Sequence, residues 1–262
     1  MIPMDPPEPS ITIDPSADLS GLAGTSLFYP CSGSDLLTPM ALFAGKVATL
    51  RFVDRGYFRP GHQDTRHFGL DHPVAEARPI IPPAHEWSVL KKCHEELDSK
   101  DDEDDEEDYD PWRRYRGIAS LTETYHHNPS GREFRLIRSN DDARRAFDGL
   151  NDPLGVFFYR GDSLGEGGSG ILWNDARLME RVLGKLVNGG LLVTDGSNSG
   201  EGSHRSFSQH APLLSAHAVR TAKQAGEKIG YSFTDFVGRR LTCIGYAGQR
   251  YGATLIWQVV RM

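Results

Sequence analysis

The chain has 262 residues, of which 38% are hydrophobic and 25% charged, a composition typical of one large folded domain rather than of a disordered protein. The formal net charge of −7 is local, because residues 98–110 contain ten acids and one lysine and the rest of the chain is nearly neutral. The charge therefore does not indicate nucleic-acid binding, and no apolar run reaches the roughly 18 residues that would predict a membrane span.

Three cysteines, Cys31, Cys93 and Cys243, are far apart and odd in number. They form neither a disulfide framework nor a zinc-binding spacing, so we expect a reducing, cytoplasmic location. We expect no metal site, because the histidines also lack tight ligand spacing. Residues 1–24 are predicted to be a disordered, proline-rich tail with no feature of a signal peptide.

Residues 25–54 are predicted to form a strand, a helix and a second strand. Thr25 to Pro30 is a short apolar run, and Cys31 to Asp35 has the composition of a turn. Thr38-Pro39 is typical of a helix start, and Val47 to Asp54 predicts a second strand that ends on an acid. A helix between two strands in so few residues predicts a parallel βαβ unit.

A long insertion is predicted after this second strand, over residues 55–116. It is rich in proline, histidine and charge, with one helical stretch at about residues 86–97. Residues 98–110 are expected to form a solvated acidic loop, because neighbouring carboxylates repel one another. A hairpin is predicted next, pairing residues 119–126 with 133–138.

The second half of the chain predicts further helices and strands. Helices are expected at 141–150, 171–187 and 212–230, and buried strands at 155–159 and 191–194. Residues 241–246 and 251–260 are expected to close the chain as an antiparallel pair. These elements predict a single α/β domain over residues 25–262, with a Rossmann-like, mostly parallel sheet, the long insertion and a C-terminal antiparallel hairpin.

Polar residues follow four of the predicted strands, where ligands bind in sheets of this class. One such loop is commonly a plain turn, but four together predict a common pocket on one rim for a nucleotide-like small molecule. They are Cys31-Ser32-Gly33-Ser34-Asp35, Asp54, Arg160-Gly161-Asp162-Ser163 with Glu166, and Asp195-Gly196-Ser197-Asn198.

Two of these loops have a more specific interpretation. Asp54 follows the glycine turn by about 20 residues, the spacing at which an acid accepts hydrogen bonds from a ribose diol. Only Gly33 stands where a dinucleotide-binding turn has three glycines, so the first loop is either a ligand loop or a plain turn. Residues 160–170 contain five glycines with Arg, Asp and Glu, which fits either substrate orientation and proton transfer or a flexible exposed loop.

The chain resembles the class I S-adenosylmethionine-dependent methyltransferases, and in particular a bacterial branch with an atypical first motif. The resemblance rests on Tyr29-Pro-Cys-Ser-Gly-Ser-Asp35, on the strand that ends at Asp54, on Gly165-Glu-Gly-Gly-Ser169 and on the closing hairpin. Asn188-Gly-Gly190 before Leu-Leu-Val-Thr-Asp195 is similar to the family's lead into its fifth strand. The similarity covers residues 25–54 and about 141–262, and implies the family's fold.

The resemblance also implies a transferase that uses S-adenosylmethionine as its cofactor. It implies that Ser32, Gly33 and Asp35 line the cofactor cleft and that Asp54 holds the ribose. The acceptor of the methyl group is unknown.

The same resemblance assigns catalytic roles after the third core strand. Asp162 or Glu166 would orient or deprotonate the acceptor, and Arg160 would position it. Two alternatives remain open. One is a catalytically inactive module that binds a basic protein through the insertion and its acidic loop, and the other is an enzyme that acts on a different nucleotide.

Overall fold

The computed structural model describes residues 12–33, 35–55, 57, 87–95, 120–162, 169–197, 219–235, 238–249 and 252–262. It is rich in sheet, with 43% strand and 18% helix. The chain divides into two compact units. Unit 1 comprises residues 1–27 and 152–262, and unit 2 comprises residues 28–151.

Unit 2 contains five strands and two short helices within the described residues. They are β2 (Ser26–Pro30, whose first two residues belong to unit 1), α1 (Leu37–Phe43), β3 (Thr49–Val53), β4 (Trp87–Glu95), β5 (Ser120–His127), β6 (Arg132–Ser139) and α2 (Ala143–Asp148). β3 and β6 are parallel, with Val53 opposite Ser139. β5 pairs antiparallel with both β6 and β4.

The hairpin of β5 and β6 confirms the predicted pairing of residues 119–126 with 133–138. Leu121 and Tyr125 on β5 are buried, as are Phe134 and Leu136 on β6. The rings of Tyr125 and Phe134 stack with their centroids 5.4 Å apart, as expected for residues directly opposite in the register. This apolar face stabilises the sheet of unit 2.

Unit 1 contains the chain's last strands together with its first described one. The elements are β1 (Thr12–Ile13), a 3-10 turn (Ser20–Leu22), β7 (Leu154–Tyr159), α3 (Ala176–Lys185), β8 (Leu186–Thr194), α4 (Ala222–Gly226), β9 (Ser232–Thr234), β10 (Arg239–Gln249) and β11 (Ala253–Arg261). The strand order in this unit is β1-β10-β11-β8-β7, and β9 also pairs with β10.

A parallel pair and an antiparallel hairpin together form the sheet of unit 1. β7 and β8 are parallel and are connected through α3, which buries Met179, Val182 and Leu183. The side chain of Asp175 accepts a hydrogen bond from the backbone N–H of Arg177 and caps this helix. β10 and β11 are antiparallel, which confirms the predicted closing pair, and β11 also pairs antiparallel with β8.

The predicted fold class is wrong. We expected a Rossmann-like α/β domain with a mostly parallel sheet, but the structure is sheet-rich and its strand pairing is mixed. Among the pairings described, six are antiparallel and two are parallel. In unit 2 the antiparallel pairs are those of β5 with β4 and with β6. In unit 1 they are those of β10 with β1, β9 and β11, and that of β11 with β8.

The helix predicted at residues 86–97 is also wrong, because Trp87–Glu95 is strand β4. Its register with β5 shifts between Val89 and Lys91, which marks an extra residue in the strand. Such an irregularity breaks the two-residue alternation of a strand. The apolar residues Trp87, Leu90 and Cys93 then recur at the three-residue spacing that indicates a helix.

Two further boundaries differ from the predictions. Residues 12–24, expected in a disordered tail, contain β1 and the 3-10 turn, because Thr12 and Ile13 pair with the edge of β10. Asn188-Gly189-Gly190 does not end a helix, since α3 ends at Lys185 and these residues lie within β8. There they take up the register shift against β7, and Gly189 has φ +78°.

Other predictions lie wholly or partly outside the described residues. The acidic loop at 98–110 and most of the insertion at 55–116 are among them, as are residues 212–218 of the helix predicted at 212–230. Within the described residues 219–230 of that helix, only α4 (Ala222–Gly226) is helical, so the helix does not extend to Gly230 as predicted. The boundaries of a single domain over residues 25–262 stay a prediction.

Alanine substitutions at two glycines of unit 1 should change the free energy of unfolding in opposite directions, and they therefore test the packing. A Cβ at Gly155 on β7 would overlap the side chain of Thr25, approaching its Cβ to 2.8 Å, whereas a Cβ at Gly184 on α3 would meet nothing closer than 3.9 Å. Gly155→Ala should therefore lower the free energy of unfolding by about 2 kcal/mol. Gly184→Ala should raise it by about 0.5–1 kcal/mol through helix propensity. Urea unfolding measures both, and equal effects would contradict the packing described.

Candidate ligand-binding site

Two of the predicted ligand loops meet in unit 2. The backbone N–H of Gly33 donates to Oδ2 of Asp54 over 3.0 Å. Gly33 has φ +52°, and the carboxylate of Asp54 comes directly after the last residue of β3. The acid that ends β3 thus holds the glycine turn that follows β2. We name this contact the Asp54–Gly33 pair.

Tyrosines hold the other predicted residues of this loop. Oγ of Ser32 and the hydroxyl of Tyr57 are 2.5 Å apart. The hydroxyl of Tyr29 donates to Oδ2 of Asp35 over 2.9 Å. Ser32 and Asp35 are both buried, so their side chains support the loop from the interior of the fold.

Cys31 opens the same loop in a conformation that L-residues rarely adopt. Its φ is +55°, and it is the only non-glycine residue with a positive φ in the part of the chain that the structure describes. Its side chain is partly exposed. The chain therefore turns sharply as it leaves β2, which brings Gly33 to Asp54 within three residues of the strand end.

Unit 1 repeats this arrangement between its own parallel strands. The N–H of Gly161, two residues after β7, donates to Oδ2 of Asp195 over 3.1 Å. Asp195 directly follows β8, and Gly161 has φ +73°. We name this contact the Asp195–Gly161 pair. The loops at 160–162 and 195–197, which were predicted to converge, are therefore in contact within unit 1.

Asp195 also organises its own turn. Its Oδ1 accepts hydrogen bonds from the backbone N–H of Ser197, over 2.8 Å, and from the hydroxyl of Ser197. Burial raises the pKa of the Asp195 carboxyl above its ordinary value, although these bonds, that from Gly161 and the charge of Arg160 act in the opposite direction. A buried acid in this position favours its neutral form.

The predicted catalytic residues of unit 1 are bonded within their own unit. Asp162 accepts from the hydroxyl of Tyr159 over 2.9 Å and from the N–H and hydroxyl of Ser169. Arg160 donates through Nη1 to the carbonyl of Ala247 over 2.6 Å. Arg160 and Asp162 are 3% and 6% exposed, so both side chains lie below the surface. Their observed contacts fix the loop after β7.

Each unit thus joins two of the four predicted loops. Asn174, which the sequence analysis missed, ties a further segment to the second pair, because its Nδ2 donates to the carbonyl of Ser197 over 2.7 Å. The sequence feature that could have pointed to Asn174 is its position directly before Asp175, which caps α3. Tyr57 was missed because it lies in the predicted insertion. Glu166, Ser34, Ser163 and Asn198 lie outside the described residues.

Comparisons with known proteins identify no relative. No protein-family model matches the chain, and neither a curated protein nor a solved structure matches it. The two carboxylate–glycine pairs are therefore the structural features that bear on function.

The described residues contain no group of three or more His, Cys, Asp or Glu side chains arranged to hold a metal ion. Over the same residues, none of the helices has both the length and the apolar character needed to cross a membrane.

The raised pKa of the buried Asp195 carboxyl predicts how the free energy of unfolding depends on pH. Because its pKa is raised in the folded chain, the unfolded chain releases the proton first as pH increases. The contribution of Asp195 to stability is therefore complete below its ordinary pKa, near pH 4, and is lost as pH rises through the folded-state value. Asp195→Asn keeps the size of the side chain and removes the titration.

Urea unfolding across this pH range compares the wild type with Asp195→Asn. The free energy of unfolding of the wild type should fall relative to that of the variant as pH rises. A difference that stays constant, or that grows in favour of the wild type, would show that Asp195 is not destabilised by burial.

Proposed function

We propose that the chain is an S-adenosylmethionine-dependent methyltransferase that binds its cofactor in unit 2. The observation that carries this proposal is the Asp54–Gly33 pair, which puts a left-handed glycine and a strand-end carboxylate 3.0 Å apart. A nucleoside needs two things from such a site, namely a close backbone approach and an acceptor for its ribose hydroxyls. The resemblance of residues 25–54 to the methyltransferases is the reason for proposing S-adenosylmethionine as that nucleoside.

The residues of this loop fit such a ligand. A Cβ built on Gly33 meets no atom of the described residues within 4 Å, so these residues leave space beside the turn. Asp54 is partly exposed, and a carboxylate can accept several hydrogen bonds at once. Gly33 would therefore admit the ligand to the backbone, and Asp54 would accept from the ribose diol.

The proposal does not depend on a mostly parallel sheet. It requires only that the loops after two strands meet at one edge, and the Asp54–Gly33 pair supplies that meeting point. β6 extends the same edge, because it is parallel to β3 and the N–H of Asp54 donates to the carbonyl of Ser139 over 3.0 Å. The mixed pairing elsewhere in the sheet leaves this edge unchanged.

The cofactor supplies an activated methyl group, which an acceptor takes by in-line displacement. The chain contributes alignment and a suitable electrostatic environment rather than covalent chemistry. Since Arg160 and Asp162 are buried and bonded within unit 1, we assign them to fixing the loop after β7. The role of Glu166, which lies outside the described residues, stays a prediction. We place the activity in the cytoplasm because the three cysteines are odd in number and far apart, unlike a disulfide framework.

A second candidate is a binding module without catalysis, and the buried state of Arg160 and Asp162 favours it. Such a module would bind a basic protein through the acidic loop at 98–110. Thermal-shift measurements separate the candidates, because a ligand that binds the folded chain raises its melting temperature. Stabilisation by S-adenosylmethionine or its demethylated product favours the enzyme, stabilisation only by NAD or ATP favours another nucleotide enzyme, and no stabilisation favours the module.

The role of Asp54 can be measured directly by calorimetry with S-adenosylmethionine. Asp54→Ala removes the proposed acceptor of the ribose hydroxyls, and a hydrogen bond to a charged group contributes about 1.5–3 kcal/mol. Affinity should therefore fall at least tenfold. Glu133→Ala is the matched control, because it removes an exposed acid at the opposite end of β6, and its affinity should equal that of the wild type.

Asp54→Asn distinguishes the loss of a ligand contact from a change in the structure of the loop. It keeps an oxygen for the N–H of Gly33 while removing the charge, so the loop should stay intact and affinity should still fall. Unchanged affinity in a folded Asp54→Ala protein would refute the assigned role of Asp54, and absence of binding to the wild type would refute the cofactor.

A further inference from the structure

A row of cations lies along the outer face of α3 in unit 1. Arg177, Arg181 and Lys185 follow one another at four-residue intervals, which brings their side chains onto one side of the helix. Arg177 and Arg181 are exposed and Lys185 is half-buried, whereas Met179 and Val182 between them are buried. The helix therefore carries its positive charge on the side that faces away from the core.

The end of β11 adds a fourth cation to this surface. Nη2 of Arg261 donates to the carbonyl of Leu186 over 3.1 Å and to that of Gly184 over 3.4 Å. These bonds hold the guanidinium of Arg261 beside the last turn of α3, next to Lys185 in the chain. We name the four residues the Arg177 row, and they are Arg177, Arg181, Lys185 and Arg261.

Helix stability does not account for the row as a whole. Like charges four residues apart on a helix repel one another. The helix dipole favours a cation in the last turn, as at Lys185, but disfavours one in the first turn, as at Arg177. The acids nearest in the chain are Glu180, the one acid within α3, and Asp175, which accepts the backbone N–H of Arg177. The row therefore indicates an interaction with negative charge from outside the helix.

Gly184 leaves the surface low between Arg181 and Lys185. It is exposed, and the nearest atom that a Cβ would meet there is Nη2 of Arg239, at 3.9 Å. Packing among the described residues therefore does not require a glycine, and alanine is the better residue inside a helix. A glycine here allows a bound chain to approach the helix backbone between two cations.

The spacing of the row fits an extended peptide. Four residues of helix rise about 6 Å, and alternate residues of an extended chain lie about 6.6–6.8 Å apart on the same side. Acidic side chains at alternate positions would therefore meet successive cations, and the guanidinium group matches a carboxylate with two parallel hydrogen bonds. The net charge of −7 opposes long-range attraction of a nucleic acid, whereas a short acidic segment needs only this local surface.

We infer that the Arg177 row binds an extended acidic segment of a partner protein, with carboxylates at alternate positions. The surface belongs to unit 1 and does not require the cofactor proposed for unit 2. It is therefore tested on the full chain without S-adenosylmethionine, so its failure and that of the proposed function are separate results.

Two peptides with blocked termini form a matched pair of probes, one of six Glu-Ser repeats and one of three Glu-Glu-Ser-Ser repeats. They have the same composition and charge, but only the first has all its glutamates on one side when it is extended. Fluorescence anisotropy at low ionic strength should show at least threefold tighter binding of the first peptide, and added NaCl should weaken the binding of both. Equal affinity for the two peptides, or tighter binding of a seven-nucleotide single strand with the same six charges, would overturn the inference.

Arg177→Glu reverses one charge of the row at a position where the helix dipole favours an acid, so the melting temperature should not fall. Affinity for the Glu-Ser peptide should fall at least threefold. Lys223→Glu is the matched control, because it makes the same change of net charge at an exposed cation on α4, and its affinity should stay close to that of the wild type. An equal loss in the two variants would show an effect of net charge alone and would overturn the role of the row.

Discussion

A strand-end carboxylate that accepts the N–H of a left-handed glycine is the contact on which both polar sites depend. It occurs as Asp54 with Gly33 in unit 2, at 3.0 Å, and as Asp195 with Gly161 in unit 1, at 3.1 Å. In each case the glycine lies in the loop after one strand, and the acid directly follows a later strand. A hydrogen bond of this kind contributes about 0.5–1.5 kcal/mol net, enough to favour one conformation of a short loop. The glycine is needed because a side chain is strained at a positive φ.

The positions of these loops follow from the sequence, whereas the pairing of the strands does not. Apolar runs ended by Asp54 and Asp195 are visible in the sequence, and the acids lie where the chain leaves a strand. Whether a neighbouring strand runs parallel or antiparallel depends on long-range contacts that a local pattern does not record. β4 shows a second reason, since an irregularity in its register imitates helical spacing. For these reasons the closing hairpin was predicted correctly and the mostly parallel sheet was not.

The sequence also does not distinguish a polar side chain that meets a ligand from one that holds the fold. Arg160 and Asp162 have the residue types of a catalytic pair, yet they are buried and bonded to Ala247, Tyr159 and Ser169. Burial and hydrogen bonding, which only the folded chain determines, separate these roles. Asp54 differs from Arg160 and Asp162 because it is partly exposed beside an open turn.

Amide hydrogen exchange of Gly33, followed by NMR, tests this contact most directly. In the wild type the Gly33 N–H should exchange slowly, because it is bonded to the carboxylate of Asp54, and adding S-adenosylmethionine should slow it further. In Asp54→Ala the exchange should be at least tenfold faster, while the Gly161 N–H, held by Asp195, keeps its rate. Equal exchange of Gly33 in the wild type and in the variant would contradict the idea that the carboxylate shapes the loop.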